Sequence, residues 1–292
     1  MKTVSIILPA LNEAAALGPV LKKIRAVLTR LEGSLLFEIL VVNDGSSDDT
    51  ARIAKENDAR VVSHPENLGN GAAVKSGLRA ARGDYVVLMD ADGQHDPEDL
   101  LRIITELEGY DMVVGARTRG SGTGWHRGLA NRAYNFLASY VTGRKIPDLT
   151  SGFRGMRTRV AKRFIYLLPN TFSYPTTLTL AFIRTGHSVK YLPIAAAPRV
   201  GKSKIRIFRD GARFFLIIVR IATFFSPFKV FFPIALASAV LGTANYAYTF
   251  FSRHQFTMGS ALLLMQAVII FTLALISEQI AQLRFDRSED ER

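Results

Sequence analysis

Two stretches near the C-terminal end constrain this chain more than any other feature. Val230 to Phe251 reads VFFPIALASAVLGTANYAYTFF, 22 residues without a charge, and Gln255 to Ser277 reads QFTMGSALLLMQAVIIFTLALIS, 23 more. As a helix each would run about 33 Å, enough to cross a hydrocarbon layer of about 30 Å. A buried hairpin in a globular core is the alternative. Core helices rarely stay apolar all round for such a length, however. A two-helix transmembrane hairpin over 230–283 is therefore expected, joined by the short link Ser252-Arg253-His254.

The flanking charge sets an orientation. Lys202, Lys204, Arg206, Arg209, Arg213, Arg220 and Lys229 precede the first span, and Arg284 and Arg287 follow the second. The positive-inside rule then places the N-terminal part and the tail (284–292) in the cytoplasm, with the chain multi-pass in the cytoplasmic membrane. Met1 to Pro9 is too short for a signal peptide and runs straight into a strand, so no signal peptide is expected. Between domain and spans, Ile205 to Lys229 sets Arg206, Arg209, Arg213 and Arg220 against Phe208, Phe214, Phe215, Ile218, Ile221 and Phe225. That pattern reads as an amphipathic helix lying at the membrane interface. With 37 Lys+Arg against 25 Asp+Glu the net charge is +12, and its clustering beside the spans points to anionic lipid rather than nucleic acid. The absence of cysteine excludes disulfides, thiolate zinc sites and a cysteine nucleophile. Small residues at Ala235, Ala239, Gly242 and Ala244 would permit close helix contacts, making a homo-oligomer an expectation.

Residues 1–204 read as one α/β domain. Strands are expected at Thr3–Leu8, Phe37–Asn43, Arg60–Ser63, Asp84–Met89 and Met112–Ala116. Helices are expected at Ala14–Leu31, Asp49–Asn57, Gly71–Ala81 and Pro97–Leu107. Such alternation predicts a mainly parallel, Rossmann-like sheet with helices on both faces and ligands beyond the carboxyl ends of its strands. Polar clusters fall there, at Pro9–Glu13, Asn43–Asp48 and Asp90–Asp96.

LMDADGQHDPEDL (Leu88–Leu100) is the most informative of these. A buried strand delivers Asp90 and Asp92 to its end, projecting to the same side. Two close carboxylates repel unless a divalent cation sits between them, and Gln94 adds a carbonyl oxygen. Oxygen-only donors fit Mg²⁺ or Mn²⁺ with a diphosphate. An EF-hand fails, because His95 stands where that loop needs glycine. Asp96 is expected as a helix N-cap with Pro97 at the first helical position. GNGAAVKS (Gly69–Ser76) fits neither a Walker nor a Rossmann loop; its glycines let a helix N-terminus approach a nucleotide or neighbouring backbone. In VNDGSSDD, a turn and a capped helix account for Gly45–Asp49 and leave Asp44 to accept from a base or ribose.

Pro9-Ala-Leu-Asn12-Glu13, VVNDGSSDDT, the DADGQ of Asp90–Gln94, DLTSGFR (Asp148–Arg154) and RVGKSK (Arg199–Lys204) together resemble family 2 glycosyltransferases. The likeness is to the polyprenyl-phosphate branch typified by dolichyl-phosphate mannose synthase, and it covers about Thr3 to Lys229. It implies a GT-A fold, a UDP- or GDP-sugar donor, Mg²⁺ or Mn²⁺, and an undecaprenyl or dolichyl phosphate acceptor. By this resemblance Pro9, Asn12, Glu13 and Asp44 hold the nucleoside, and Asp90, Asp92 and Gln94 organise metal and diphosphate. Arg199, Ser203 and Lys204 close over the diphosphate, and Arg117, Arg127, Asn131 and Ser151 take the acceptor phosphate. Asp92, Arg117 and Arg127 carry the catalysis. Two departures stand out. The lone tryptophan, Trp125, lies in no Gln-x-x-Arg-Trp motif, which argues against polymer synthesis. Tyr174-Pro175-Thr176-Thr177 stands where some relatives offer a carboxylate.

A lipid monophosphate, with its second pKa near ~6, is already substantially anionic at neutral pH and needs no general base. What it needs is cations to offset the repulsion between two phosphates. The expected reaction is in-line attack by the lipid phosphate on the anomeric carbon, with inversion. Transfer to a lipid hydroxyl, or nucleotide-sugar binding without turnover, are the competing readings.

Overall fold

The computed structural model describes residues 2–31, 33, 35–118, 125–170, 174–195 and 223–286. The chain divides into two compact units, Met1–Phe136 with Lys145–Lys204, and Leu137–Arg144 with Ile205–Arg292.

The first unit is built on a seven-stranded sheet in the order β3-β2-β1-β4-β6-β5-β7. Its strands are β1 (Lys2–Ala10), β2 (Leu35–Asn43), β3 (Arg60–Ser63), β4 (Tyr85–Leu88), β5 (Met112–Arg117), β6 (Arg154–Arg157) and β7 (Val189–Ile194). All pairs are parallel except those of β6, which runs antiparallel between β4 and β5. The parallel strands are unbroken apolar runs because the sheet is covered on both faces. On one face Val4, Ile6, Leu8 and Val87 pack with α1 (Ala14–Leu28) and α4 (Glu98–Glu106) through Leu17, Leu21, Ile24, Leu100 and Ile103. On the other, α3 (Asn70–Ala80) approaches so closely at Gly77 that a Cβ there would lie 2.4 Å from Ile7 Cγ2. The mainly parallel sheet with helices on both faces is thus as expected.

The sequence reading passed over β6 and β7. β6 is RGMR, polar on its face, and β7 carries Lys190 and Pro193, tolerated because β7 is an edge strand. The remaining elements are α2 (Thr50–Glu56), α5 (Trp125–Thr142), α6 (Thr158–Arg163) and α7 (Tyr174–Arg184). Helix α4 starts one residue later than expected, with Asp96 Oδ1 accepting from the Glu98 N–H at 3.1 Å.

In the second unit α8 (Pro227–Arg253) and α9 (Met258–Asp286) form an antiparallel hairpin of two helices long and apolar enough to cross a membrane. The link is His254–Thr257 rather than Ser252–His254, with His254 in the left-handed region (φ 49°) closing α8. Their apolar surface faces outward: Leu241 is 60% and Val268 66% exposed, which excludes a buried core hairpin. Some polar groups face inward, while Gln266 and Thr272 stand exposed. Asn245 Nδ2 donates to Ser260 Oγ at 3.0 Å near the link, and the Phe228 N–H donates to Glu278 Oε2 at 3.2 Å at the opposite end. Tyr246, Tyr248, Phe250, Phe251 and Phe256 ring the link end as an aromatic girdle. Gly242 packs against Leu263 and Leu264 of its own hairpin, and Ala235 is buried. Those two small residues are therefore used within the chain and give no argument for a homo-oligomer. Residues 205–222 of the expected interfacial helix lie outside the described residues; Lys229 at its end donates from Nζ to the Val141 carbonyl at 2.8 Å, satisfying the last turn of α5.

Candidate active site

The loops after β1 and β2 are stitched into one platform. Pro9 and Ala10 pair with Val42 and Asn43 at the strand ends. Beyond them Asn12, at φ 56°, accepts at Oδ1 from the Ser47 N–H (2.9 Å), while its own N–H donates to Ser46 Oγ (3.0 Å). The Glu13 N–H donates to Thr50 Oγ1 (3.0 Å) and that of Ala14 to Asp48 Oδ2 (3.1 Å). Burial opposes ionisation of Asp48, but donors from Thr50 and Ala14 outweigh it and hold its pKa below the usual carboxylate range. Asparagine suits position 12 because its short amide tolerates the left-handed region and bonds locally.

Asp44, expected at the nucleoside, is 3% exposed and already takes partners from its own chain. Its Oδ1 accepts from His64 Nδ1 (2.7 Å) and the Leu68 N–H (3.0 Å), and its Oδ2 from the Gly69 N–H (2.9 Å). With Nδ1 donating, His64 Nε2 is left to accept from Ser76 Oγ at 2.9 Å. Asp44 therefore fixes residues 64–69, which press so closely on Gly45 (φ +71°) that a Cβ would lie 2.4 Å from the Glu66 carbonyl carbon. Gly69 does meet neighbouring backbone: a Cβ there would lie 2.4 Å from the Asn170 carbonyl, which accepts the Ala72 N–H at the start of α3.

Past β4, Asp90 and Asp92 are half-buried on either side of buried Ala91, in the turn that follows the strand. Asp92 Oδ1 accepts the Gln94 N–H at 3.1 Å, a turn made possible by Gly93 at φ +75°. Asp90 Oδ2 lies 3.5 Å from Nε2 of buried His95, whose ring is tilted 35° to that of Phe153 at 5.0 Å and whose Nδ1 has no hydrogen-bond partner among the described residues. From the other side Asp90 meets Gly152, where a Cβ would stand 2.8 Å from Oδ2.

Arg117, ending β5, is held in a fork by Asp148: Nε to Oδ2 at 2.8 Å, Nη2 to Oδ1 at 3.0 Å, with Nη2 also donating to Thr150 Oγ1 at 2.7 Å. Hydrogen bonding to Asp148 raises the Arg117 pKa; burial works against ionisation of Asp148, yet the same bonds hold it below the ordinary carboxylate range. Among the described residues, Nη1 of Arg117 makes no hydrogen bond. Ser151 is 1% exposed with its hydroxyl unpartnered, and its carbonyl accepts from Arg154. The side chains of Arg127 and Asn131 on α5, and residues Arg199, Ser203 and Lys204, lie outside the described residues. The sequence reading missed His95 and Arg154 as site residues. His95 was read only as an obstacle to an EF-hand, and Arg154 stood in the DLTSGFR motif without a role.

Models for two families match this chain: one described as Glycosyl transferase family 2 over residues 5–165, the other as the GtrB C-terminal hairpin over residues 226–283. The chain is similar to undecaprenyl-phosphate 4-deoxy-4-formamido-L-arabinose transferase of Proteus mirabilis, 32% identical over 189 residues that cover 59% of this chain and 57% of that protein. It is also similar to an uncharacterised protein of Methanocaldococcus jannaschii, 31% identical over 199 residues, 65% of this chain and 79% of that one. Its fold is similar to that of glucosyl-3-phosphoglycerate synthase from Mycobacterium tuberculosis, solved in complex with Mn²⁺, UDP-glucose and phosphoglyceric acid. There the TM-score is 0.58 and the identity 26%, covering 75% of this chain and 78% of that one. The chain thus spans little more than half the length of the Proteus relative.

Proposed function

This chain belongs to glycosyl transferase family 2, and we propose that it transfers a sugar from a nucleotide-sugar donor to a polyprenyl phosphate at the cytoplasmic face of a membrane, with inversion. The observation that carries the proposal is one end of the sheet bearing the Asp90/Asp92 turn and the end of β5 with Arg117, in a chain that also carries a lipid-compatible hairpin.

The donor set fits a hard divalent cation. Asp90, Asp92 and Gln94 offer oxygen only, fewer donors than the about six that such an ion takes. That leaves coordination positions for a diphosphate and water, as Mg²⁺ and Mn²⁺ take. When bound, such an ion offsets the charge of the departing diphosphate. Pro9, Asn12 and Glu13 shape the nucleoside end, and Asp44 acts there through the loop it organises. Arg117 Nη1, with Arg127 and Asn131, receives the acceptor phosphate, and Arg199, Ser203 and Lys204 close on the donor.

An acceptor that is already an anion needs no base, and the likeness to a relative named as an undecaprenyl-phosphate sugar transferase supports that class of acceptor. The test offers undecaprenyl phosphate, undecaprenol and diacylglycerol separately to the full chain with Mn²⁺ and nucleotide sugars, and follows nucleoside diphosphate release. Release with the phosphate alone is expected; release with either alcohol refutes the assignment.

A further inference from the structure

Among the described residues Arg154 is the largest fully buried side chain, 0% exposed, and its guanidinium donates there only to neutral oxygens. Nε and Nη2 both donate to the Ser151 carbonyl (Nε at 3.1 Å), and Nη1 donates to the Pro175 carbonyl at 2.7 Å and Thr179 Oγ1 at 2.9 Å. A buried cation without a paired carboxylate is a costly element, and an apolar side chain would fill the space at less expense. What Arg154 secures is residues 148–154. One end of that segment grips Arg117 through Asp148, which also accepts the Arg117 and Thr150 N–H groups. Its middle, Gly152, lies flush against the Asp90 carboxylate. Its far end enters β6 between β4 and β5, the two strands that deliver Asp90 and Arg117.

We infer that Arg154 is a positioning residue that registers the Asp90 carboxylate against the Arg117 guanidinium, by clamping residues 148–154 to α7. The inference rests on the proposed reaction, which makes Asp90 the metal side and Arg117 the acceptor side. Arg154 is too deeply buried to touch substrate, so it acts through these two residues. The run Tyr174-Pro175-Thr176-Thr177 acquires a reason: its first turn supplies neutral oxygens to the clamp and leaves the cation's field to Asp90 and Asp148, the carboxylates that oppose the burial-driven fall in its pKa along with Tyr174 and Tyr191.

The test compares four variants of the full chain in detergent by two independent readouts. One is Mn²⁺ affinity in the presence of UDP or GDP, read without turnover from the paramagnetic signal of free Mn²⁺. The other is the KM for undecaprenyl phosphate. Gly152→Ala pushes the Asp90 carboxylate aside and should weaken Mn²⁺ binding about 10-fold, as loss of outer-shell support does, with acceptor KM unchanged. Asp148→Asn should raise acceptor KM and leave Mn²⁺ binding unchanged. Arg154→Lys, which keeps the charge and loses the fork, should move both quantities together. Thr179→Val, which removes one of the clamp's partners, should do so more weakly and stands in if the lysine variant shows no melting transition. If Arg154→Lys, or Thr179→Val in its place, leaves either quantity at the wild-type value, the inference is overturned. A wild-type chain that binds no Mn²⁺ with either nucleotide would overturn the reaction itself, and the inference with it.

Discussion

Replacing Asp44 by alanine removes one carboxylate and orphans three donors: His64 Nδ1 and the Leu68 and Gly69 N–H groups. Hydrogen bonds to a charged acceptor contribute about 1.5–3 kcal/mol each. Leu68 is exposed, so water reaches part of the loop and the low end of that range applies to the two backbone donors. The expected loss is about 4.5–6 kcal/mol, a large share of the roughly 5–15 kcal/mol that holds a domain folded. At about 2–4 °C per kcal/mol for a unit of this size, the melting temperature should fall by about 9–24 °C. Calorimetry on the full chain in detergent measures that fall. Cleavage after Glu66 by a glutamate-specific protease measures release of the loop, which should accelerate in step. Asp44→Asn keeps one acceptor oxygen and should cost about half as much. If Asp44→Ala melts within about 1 °C of wild type and loses donor binding alone, Asp44 is a nucleoside contact and not the organiser of residues 64–69.

Asp148 has a lower pKa in the folded chain than unfolded, so its contribution is present above about pH 5 and drains away as the pH falls through about 4 and below. Asp148→Asn should flatten the stability profile across that window, measured by melts at stepped pH. Gly69→Ala forces a side chain to φ +101° and against the Asn170 carbonyl, and should cost about 2–3 kcal/mol in a chemical denaturation series; an unchanged midpoint contradicts the close approach. Because the chain has no cysteine, His254→Cys gives a single reactive thiol at the hairpin link. An impermeant maleimide should label it in intact cells, and labelling only after lysis would reverse the orientation.

The strands that carry the site were legible because parallel strands buried on both faces leave uninterrupted apolar runs, as in β1 and β2. β6 was not, since its RGMR owes its burial to Arg154, whose partners Pro175 and Thr179 lie more than twenty residues on. The oxygen donors of Asp90–Gln94 could be read locally from their residue types, while the turn that carries them depends on Gly93 at φ +75°. Asp44 could not, because its partners come from a loop and helix start that the fold, rather than the spacing, brings to it. The same holds for Asp148 and Arg117, thirty-one residues apart and joined in one fork. The hairpin's span was legible from its lack of charge, but the inward use of Gly242 depends on which face meets Leu263 and Leu264.

The decisive measurement is the mass of the lipid formed when the full chain, Mn²⁺, a nucleotide sugar and undecaprenyl phosphate are incubated together. A product that has gained one sugar and still carries a single phosphorus, formed with release of the nucleoside diphosphate, is the predicted result. A product carrying two phosphorus atoms with release of the nucleoside monophosphate, or no lipid product with any UDP- or GDP-sugar, would contradict it.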